Sequence, residues 1–355
     1  MSSVKYVGLD VHKETISAAV LDGEGRLVMQ SVVATNARAI LDFVQGLRGS
    51  IHITFEESTH SAWLHGLLAG RAERVLVCNP RRNALLKEGS KSDAIDAGKL
   101  ADLLRGNLLK AVYHADHGLA MVQQLGRSYM ALTEDTTRVM GRIKAIYRGQ
   151  GMASTGKKPY GRRHREKWLA QLAEPGMRRR AERLYQEMDI LQGLRREARQ
   201  ELIAESRKHE AVRTLQTVPY LGPIRAALLL GRVQTPHRFR SKRQFWAYCG
   251  LALETRSSAD YRYQRGRLVR SSKPVFVRGL NRNHNHDLKS LFKGAATTST
   301  GRPGPFRTFY DGLLAKGMVP ALARLTLARK IAAITLCVWK KGEAFDAEHL
   351  KPQAA

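Results

Sequence analysis

Three short apolar runs near the start of the chain, joined by tight turns and followed by alternating helical and extended segments, restrict its folding most. Tyr6-Val7-Gly8-Leu9-Asp10 is the first run and Ile16–Leu21 the second. Asp22-Gly23-Glu24-Gly25 is a strong turn signal, and Arg26-Leu27-Val28-Met29 continues as a third strand. A helix is expected over about Ala37–Leu47, then a strand at His52–Phe55 running into Glu56-Glu57. A second helix is expected around Ala62–Leu68 and a further strand at Arg74–Cys78, stopped by Asn79-Pro80. Antiparallel strands followed by alternating helix and strand predict an α/β fold with a mixed sheet.

The pattern then changes. Glycines and Pro159 break any helix between Gly149 and Lys167, where Arg162, Arg163 and Arg165 form a basic run beside Tyr160 and Trp168. This stretch reads as a linker or as a loop contacting nucleic acid. From Arg178 to Lys208, Ala181, Leu184, Met188, Leu191, Ala198 and Leu202 recur at spacings of three and four, with Arg195 at the one polar seam position. So narrow a stripe suits a helical hairpin or a dimeric coiled coil. Beyond Thr214 the chain reads as mainly helical. Ser241-Lys242-Arg243-Gln244 opens a helix as a capping box, Gly250 to Ser272 is loop-rich and basic, and Pro320–Lys341 is a long helix.

With 355 residues, two or three domains are expected. The net charge of +29 is costly in self-repulsion unless a polyanion neutralises it. No apolar run reaches spanning length and no signal-peptide pattern opens the chain, so nucleic acid, not a membrane, is the expected partner. Three scattered cysteines argue against disulfides and cysteine-based zinc sites, and fit a reducing cytoplasm.

Four acids stand where strands and helices end. Asp10 closes the first strand and Glu57 the fourth, with Glu56 as its competitor, because alternation lets only one of the two face a common site. Asp93 and Asp96, in Lys91-Ser92-Asp93-Ala94-Ile95-Asp96-Ala97, share one helix face. Each alone reads equally well as a turn former or a helix cap. Grouped, they repel one another unless a cation intervenes, and hard oxygen donors suit Mg²⁺ or Mn²⁺. This order of strands and acids is the layout of RuvC-like nucleases. Nucleotide-binding ATPases that share such a sheet need small residues after the first Asp, and Val11-His12-Lys13-Glu14 supplies bulk and charge instead.

The chain also resembles a known family, the IS one-ten insertion-sequence transposases of bacteria. Tyr6–Lys13 resembles the family's opening strand. Glu57-Ser58-Thr59-His60 resembles its Glu-Ala-Thr-Gly segment and favours Glu57 over Glu56. Lys91–Ala97 resembles its Lys-Thr-Asp-x-x-Asp-Ala segment. Thr217–Pro223, Arg238–Ser241 and Tyr248–Leu251 follow the order of its C-terminal domain.

The resemblance implies an RNase H/RuvC-like domain over 1–150 and a basic linker with a coiled coil over 151–212. A serine-bearing transposase domain over 213–345 and a tail over 346–355 complete the expected layout. It implies that Asp10, Glu57, Asp93 and Asp96 hold the metal, and that a serine before a Gly is the nucleophile. Ser258 matches best, although Ala259 replaces the Gly, so Ser257 stays open. Donor and target DNA, a guide (bridge) RNA, a homo-oligomeric (dimeric or tetrameric) assembly and a bacterial cytoplasmic location follow from the same resemblance.

Two further surfaces suit nucleic acid. Val218–Pro223 resembles a helix-hairpin-helix turn, in which Gly222 would approach a phosphate, with Tyr220 where Gly is usual. Arg262, Arg265, Arg267 and Arg270 interleave with Tyr261 and Tyr263, as for backbone contact and base stacking. A transposase with serine chemistry is therefore expected. A junction-specific endonuclease using metal-bound water and a non-enzymatic nucleic-acid binder are its competitors.

Overall fold

The computed structural model describes residues 4–80, 92–114, 117–258, 261–264, 266–270, 275–280 and 283–350. The chain divides into two compact units, Met1–Gly118 and Leu119–Ala355.

In the first unit β1 (Val4–Val11), β2 (Thr15–Leu21) and β3 (Leu27–Ala34) form an antiparallel meander. Helix α1 (Ala37–Gln45) leads to β4 (Ser50–Glu56), and α2 (Ser61–Leu68) leads to β5 (Arg74–Cys78), before α3 (Asp93–Arg105). Both β4 and β5 run parallel to β1, giving the mixed order β3-β2-β1-β4-β5. The two faces of the sheet are buried separately. Val7, Leu9, Ile53 and Phe55 pack against Ile40 and Val44 of α1 and Leu64 and Leu68 of α2. On the other face, Tyr6, Leu76 and Cys78 pack against Leu100, Leu103 and Leu104 of α3. The third apolar run thus forms an edge strand longer than its sequence signal, and Leu27, Val28 and Val32 stay exposed there.

Gly8 sets the seat of α3. A Cβ at this position would meet the backbone oxygen of Ala97 and, at 2.5 Å, the backbone nitrogen of Ala101. Main chain cannot yield as a flexible side chain can, so helix and strand would have to separate. Gly8→Ala is expected to cost about 1–3 kcal/mol of stability, the usual range for overpacking, read by urea denaturation. Because α3 carries Asp93 and Asp96, the same variant should also displace these two acids relative to β1.

The second unit is mainly helical. Helix α4 (Ala120–Gly149) packs antiparallel along α6 (Pro175–Ser206), after a short α5 (Arg165–Leu169). Ala181, Met188, Ala198 and Leu202 of the predicted stripe are buried, together with Tyr185, so α4 of the same chain covers that face. The compact first unit stops short of residue 150, because α4 makes its contacts with α6 and with α8 (Pro223–Val233). A core around α12 (Pro320–Lys341) gathers α7 (Glu210–Thr217), α8, α9 (Lys242–Tyr248), α10 (His286–Ser299) and α11 (Pro305–Ala315). Pro320 occupies the first turn of α12, and Gly342, at φ 70°, closes it in the left-handed conformation that favours glycine.

The segment expected to be a basic loop contains β structure. Strand β6 (Leu253–Ser258) pairs with β9 (Val275–Leu280), and β7 (Tyr261–Gln264) pairs with β8 (Arg267–Arg270). Loop-like composition misled here because interleaved Arg and Tyr at alternate positions also satisfy the period of a strand. Among the described residues, no helix is long and apolar enough to cross a membrane.

Candidate metal centre and nucleic-acid surfaces

Asp10 lies two residues beyond Gly8 on β1, and residues two apart share one face of a strand. Its carboxylate therefore stands on the α3 side of the sheet, at the helix's first turn. That turn is built locally. Ser92 is the N-cap, its hydroxyl accepting from the Ile95 N–H at 3.2 Å, and Asp93 and Asp96 occupy the first turn. Acids are favoured there by the helix dipole, so capping and site formation are the same feature. Residues from β1 and α3, remote in sequence, are brought together.

His12 completes the cluster. Its Nε2 lies 3.2 Å from Asp10 Oδ2 and 3.6 Å from Asp93 Oδ1. One donor atom each from Asp10, His12 and Asp93 can be chosen with all three within 4.8 Å of one another. Burial holds the Asp10 carboxyl above the ordinary aspartate range. His12 opposes this, and the charges of Asp93 and Asp96 add to it. Two carboxylates and an imidazole this close, with a third carboxylate in electrostatic reach, suit a divalent cation, which would relieve the repulsion.

Glu57 is placed differently. It follows the end of β4, its N–H donating to the Cys78 carbonyl at 2.9 Å. Its carboxylate pairs with His114 Nε2 at 2.7 Å, and the His114 ring stacks on His65 with centroids 5.1 Å apart. In the parallel register Gly8 sits beside Thr54, so alternation puts Glu56, not Glu57, on the Asp10 face of the sheet. Asp102 turns away and pairs with Arg105 at 2.7 Å.

Sequence reasoning passed over both His12 and His114. His12 had a usable signal, its spacing of two from Asp10 along an extended segment. His114 had none, since only tertiary structure carries it to Glu57.

In the second unit Ser257 and Ser258 end β6, their backbones paired with Phe276 and Val275. The backbone of Arg262 pairs with Val269 and that of Arg270 with Tyr261. Arg267 and Tyr263 are exposed, whereas Arg265 lies outside the described residues. Gly222 caps α8, and a Cβ there would meet nothing within 4 Å, so sterics alone do not demand glycine. The turn's left-handed residue is Tyr220, at φ 67°, and its carbonyl accepts from Arg225 at 2.8 Å. A bulky residue there is strained, which restricts what this turn can present.

The basic run divides by partner. Arg162 and Arg163 are exposed, although Arg162 approaches Asp189 at 3.4 Å. Arg165 is largely buried, makes two hydrogen bonds to Asp189 at 2.7 and 2.6 Å, and covers the Tyr185 ring. Its guanidinium is committed within the protein. The Arg165 hydrogen bonds hold the Asp189 carboxyl below its ordinary range. Asp189→Asn should therefore cost about 2 kcal/mol, the scale of charge-assisted hydrogen bonds, in urea denaturation at pH 7. A lowered carboxyl pKa stabilises above the unfolded value and is lost as the pH falls through the folded one. The difference between the proteins should accordingly shrink in acid.

A first unit that gathers Asp10, His12 and Asp93 beside a mixed sheet is followed by a mainly helical second unit, and comparisons with known proteins give the class, that of transposases. A family model described as "Transposase" (DEDD_Tnp_IS110) matches residues 7–149, and one described as "Transposase IS116/IS110/IS902 family" matches residues 212–311. The chain belongs to the IS110 family of transposases. It is also similar to "Putative transposase y4pF/y4sB" of Sinorhizobium fredii (strain NBRC 101917 / NGR234), 28% identical over 151 residues. That match covers 41% of this chain and spans about a third (35%) of the relative's length. Asp10, Glu57, Asp93 and Asp96 fall in the first matched segment, and Gly222 and Ser258 in the second.

Proposed function

We propose that the chain excises and inserts a mobile DNA element by metal-dependent cleavage and rejoining of strands, on an RNase H-like first domain. The observation that carries this is the convergence of Asp10 on β1, His12 just beyond its end and Asp93 on α3, at one end of the sheet. Asp10 and Asp93 would hold Mg²⁺ or Mn²⁺, and Asp96 adds negative potential beside them. A divalent ion held there would supply Lewis-acid polarisation of phosphodiester oxygens. His12 hydrogen-bonds Asp10 and so fixes the direction of its carboxylate. Glu57, as the family's fourth acid, is held by His114 and would take part when that pair opens.

Ser258, or Ser257 beside it, is assigned as the nucleophile. The serine oxygen forms a bond to phosphorus as the bond to the strand's leaving oxygen breaks, and the serine proton ends on that leaving hydroxyl. One phosphoester replaces another, so the reverse step rejoins DNA without ATP. The excess of positive charge favours polyanions: DNA as substrate and, by resemblance to the family, a guide RNA. A homo-oligomer in the bacterial cytoplasm, with domains 1–150, 151–212 and 213–345, completes the assignment.

The test uses a plasmid carrying the gene with its native flanking DNA, incubated with purified protein and RNA transcribed from the flanks. Sequenced excision junctions are expected with Mg²⁺ or Mn²⁺ and none in excess chelator. Equal excision in both would sink the metal-dependent reading.

A further inference from the structure

Away from these residues, a pocket of about 450 Å³ opens in the helical unit between α9, α11 and α12. Five cations line it, Arg240, Lys242, Arg329, Lys330 and Lys340, and no acid is among the lining residues. Two of them are braced by the protein itself. Arg329 Nε donates to the Leu251 carbonyl at 2.6 Å, and Lys340 Nζ donates to the Phe239 carbonyl at 2.5 Å. Arg329 Nη2 is buried with no hydrogen-bond partner among the described residues. Burial, and then the charge of Lys242, pull the Lys330 ammonium below its ordinary range. Crowded cations without a counter-charge raise the free energy of the empty pocket, and an unpaired buried donor adds to it. A bound anion relieves the crowding of charge.

A bare anion would leave the rest of the lining without purpose. Trp246 and Phe309 add aromatic surface, and Ala333 and Ile334 add aliphatic surface. Trp246 is held by its indole N–H, which donates to the Arg329 carbonyl at 2.9 Å. An aromatic wall next to clustered cations matches a ligand with a planar ring and a phosphate, and the volume falls within the roughly 300–1,000 Å³ typical of ligand pockets. The same wall anchors the strand that carries the candidate nucleophile. The Leu251 and Ala252 N–H groups both donate to the Trp246 carbonyl, and β6 starts at the next residue.

We propose that this pocket takes one unpaired nucleotide of a nucleic-acid strand, its base on Trp246 and Phe309 and its phosphate on Lys242, Arg329 and Lys330. Bases stack on aromatic side chains once they leave a duplex, whatever their identity. Held there, a strand would be fixed at the root of β6.

Cys337 lines the pocket, and Cys78 and Cys249 are buried elsewhere, so thiol alkylation reports occupancy. The full-length protein is treated with N-ethylmaleimide, and the rate at Cys337 is followed by peptide mass spectrometry. Oligothymidylate DNA, oligouridylate RNA, blunt duplex DNA, thymidine monophosphate and inorganic phosphate are added in turn. We expect single strands to slow Cys337 alkylation at least tenfold. Lys242→Gln with Lys330→Gln should abolish the protection, and the matching pair of Arg substitutions should retain it. Protection by DNA, RNA or both supports the proposal and tells which strand is bound. Equal protection by duplex, by the free nucleotide or by phosphate alone overturns it. The inference rests on the chain's handling nucleic acid. Absence of all oligonucleotide binding in fluorescence anisotropy overturns that reading along with this one, whereas binding without Cys337 protection overturns only the pocket.

Discussion

Asp10→Asn is expected to lower metal-dependent strand cleavage by about 10²–10³-fold or more, the scale on which removing one transition-state-stabilising group acts, while leaving the fold intact. The amide keeps the size of the side chain but removes one of the two anionic donors of the cluster. It also removes a charge that stands partly buried near Asp93 and Asp96. In metal-free protein the thermal midpoint of the variant should therefore rise, not fall. Burial and the two neighbouring carboxylates make the ionised form of Asp10 unfavourable in the folded state, so its charge destabilises at every pH above the ordinary aspartate value of 3.8. The gain should fade as the pH falls through that range, where the parent's carboxyl is neutral as well. Adding Mn²⁺ should raise the midpoint of the parent and not that of the variant, because only a ligand held by the folded state stabilises it. Unchanged cleavage in Asp10→Asn, or an equal response of both proteins to Mn²⁺, would remove Asp10 from any metal site.

Ser258→Ala is expected to abolish the covalent protein–DNA adduct on a nicked or gapped suicide substrate and to lower rejoined product by roughly 10³-fold or more, as loss of a nucleophile does. DNA binding, read by anisotropy, should change little. The adduct is scored by a mobility shift that survives boiling in detergent, and its site by mass spectrometry. Ser257→Ala belongs in the same experiment. One nucleophile forms one adduct, so one variant alone should lose it. Cleavage retained in both single variants and in the double variant, with Asp10→Asn inactive, would mean hydrolysis by water. The chain would then be a metal-dependent endonuclease and not a serine recombinase.

Much of the first unit was legible from local signals. The turn at Asp22–Gly25, the apolar runs and the Ser92 cap each act over a few residues, and the strands and helices lie where those signals place them. Elements were harder to read where one composition satisfies two structures. Interleaved Arg and Tyr suit a solvated loop and a β-hairpin alike, and Tyr261–Gln264 pairs with Arg267–Arg270. The stripe on α6 was legible, but not its partner, because a seam of apolar residues does not specify which helix covers it. Arg165 illustrates the same limit for charge. In sequence it is one cation in a basic run, whereas in the structure Asp189 engages it from α6.

Acids at element ends are visible in the chain itself, since a strand end or a helix cap is a matter of neighbouring residues, and so Asp10, Asp93 and Asp96 could be singled out together. Which of them share one point in space was settled only by the fold. Gly8 lets α3 lie against β1, and that approach brings Asp93 to Asp10 and His12 while Glu57 turns to His114. Distances between residues far apart in sequence depend on packing, and packing is a property of the whole folded chain.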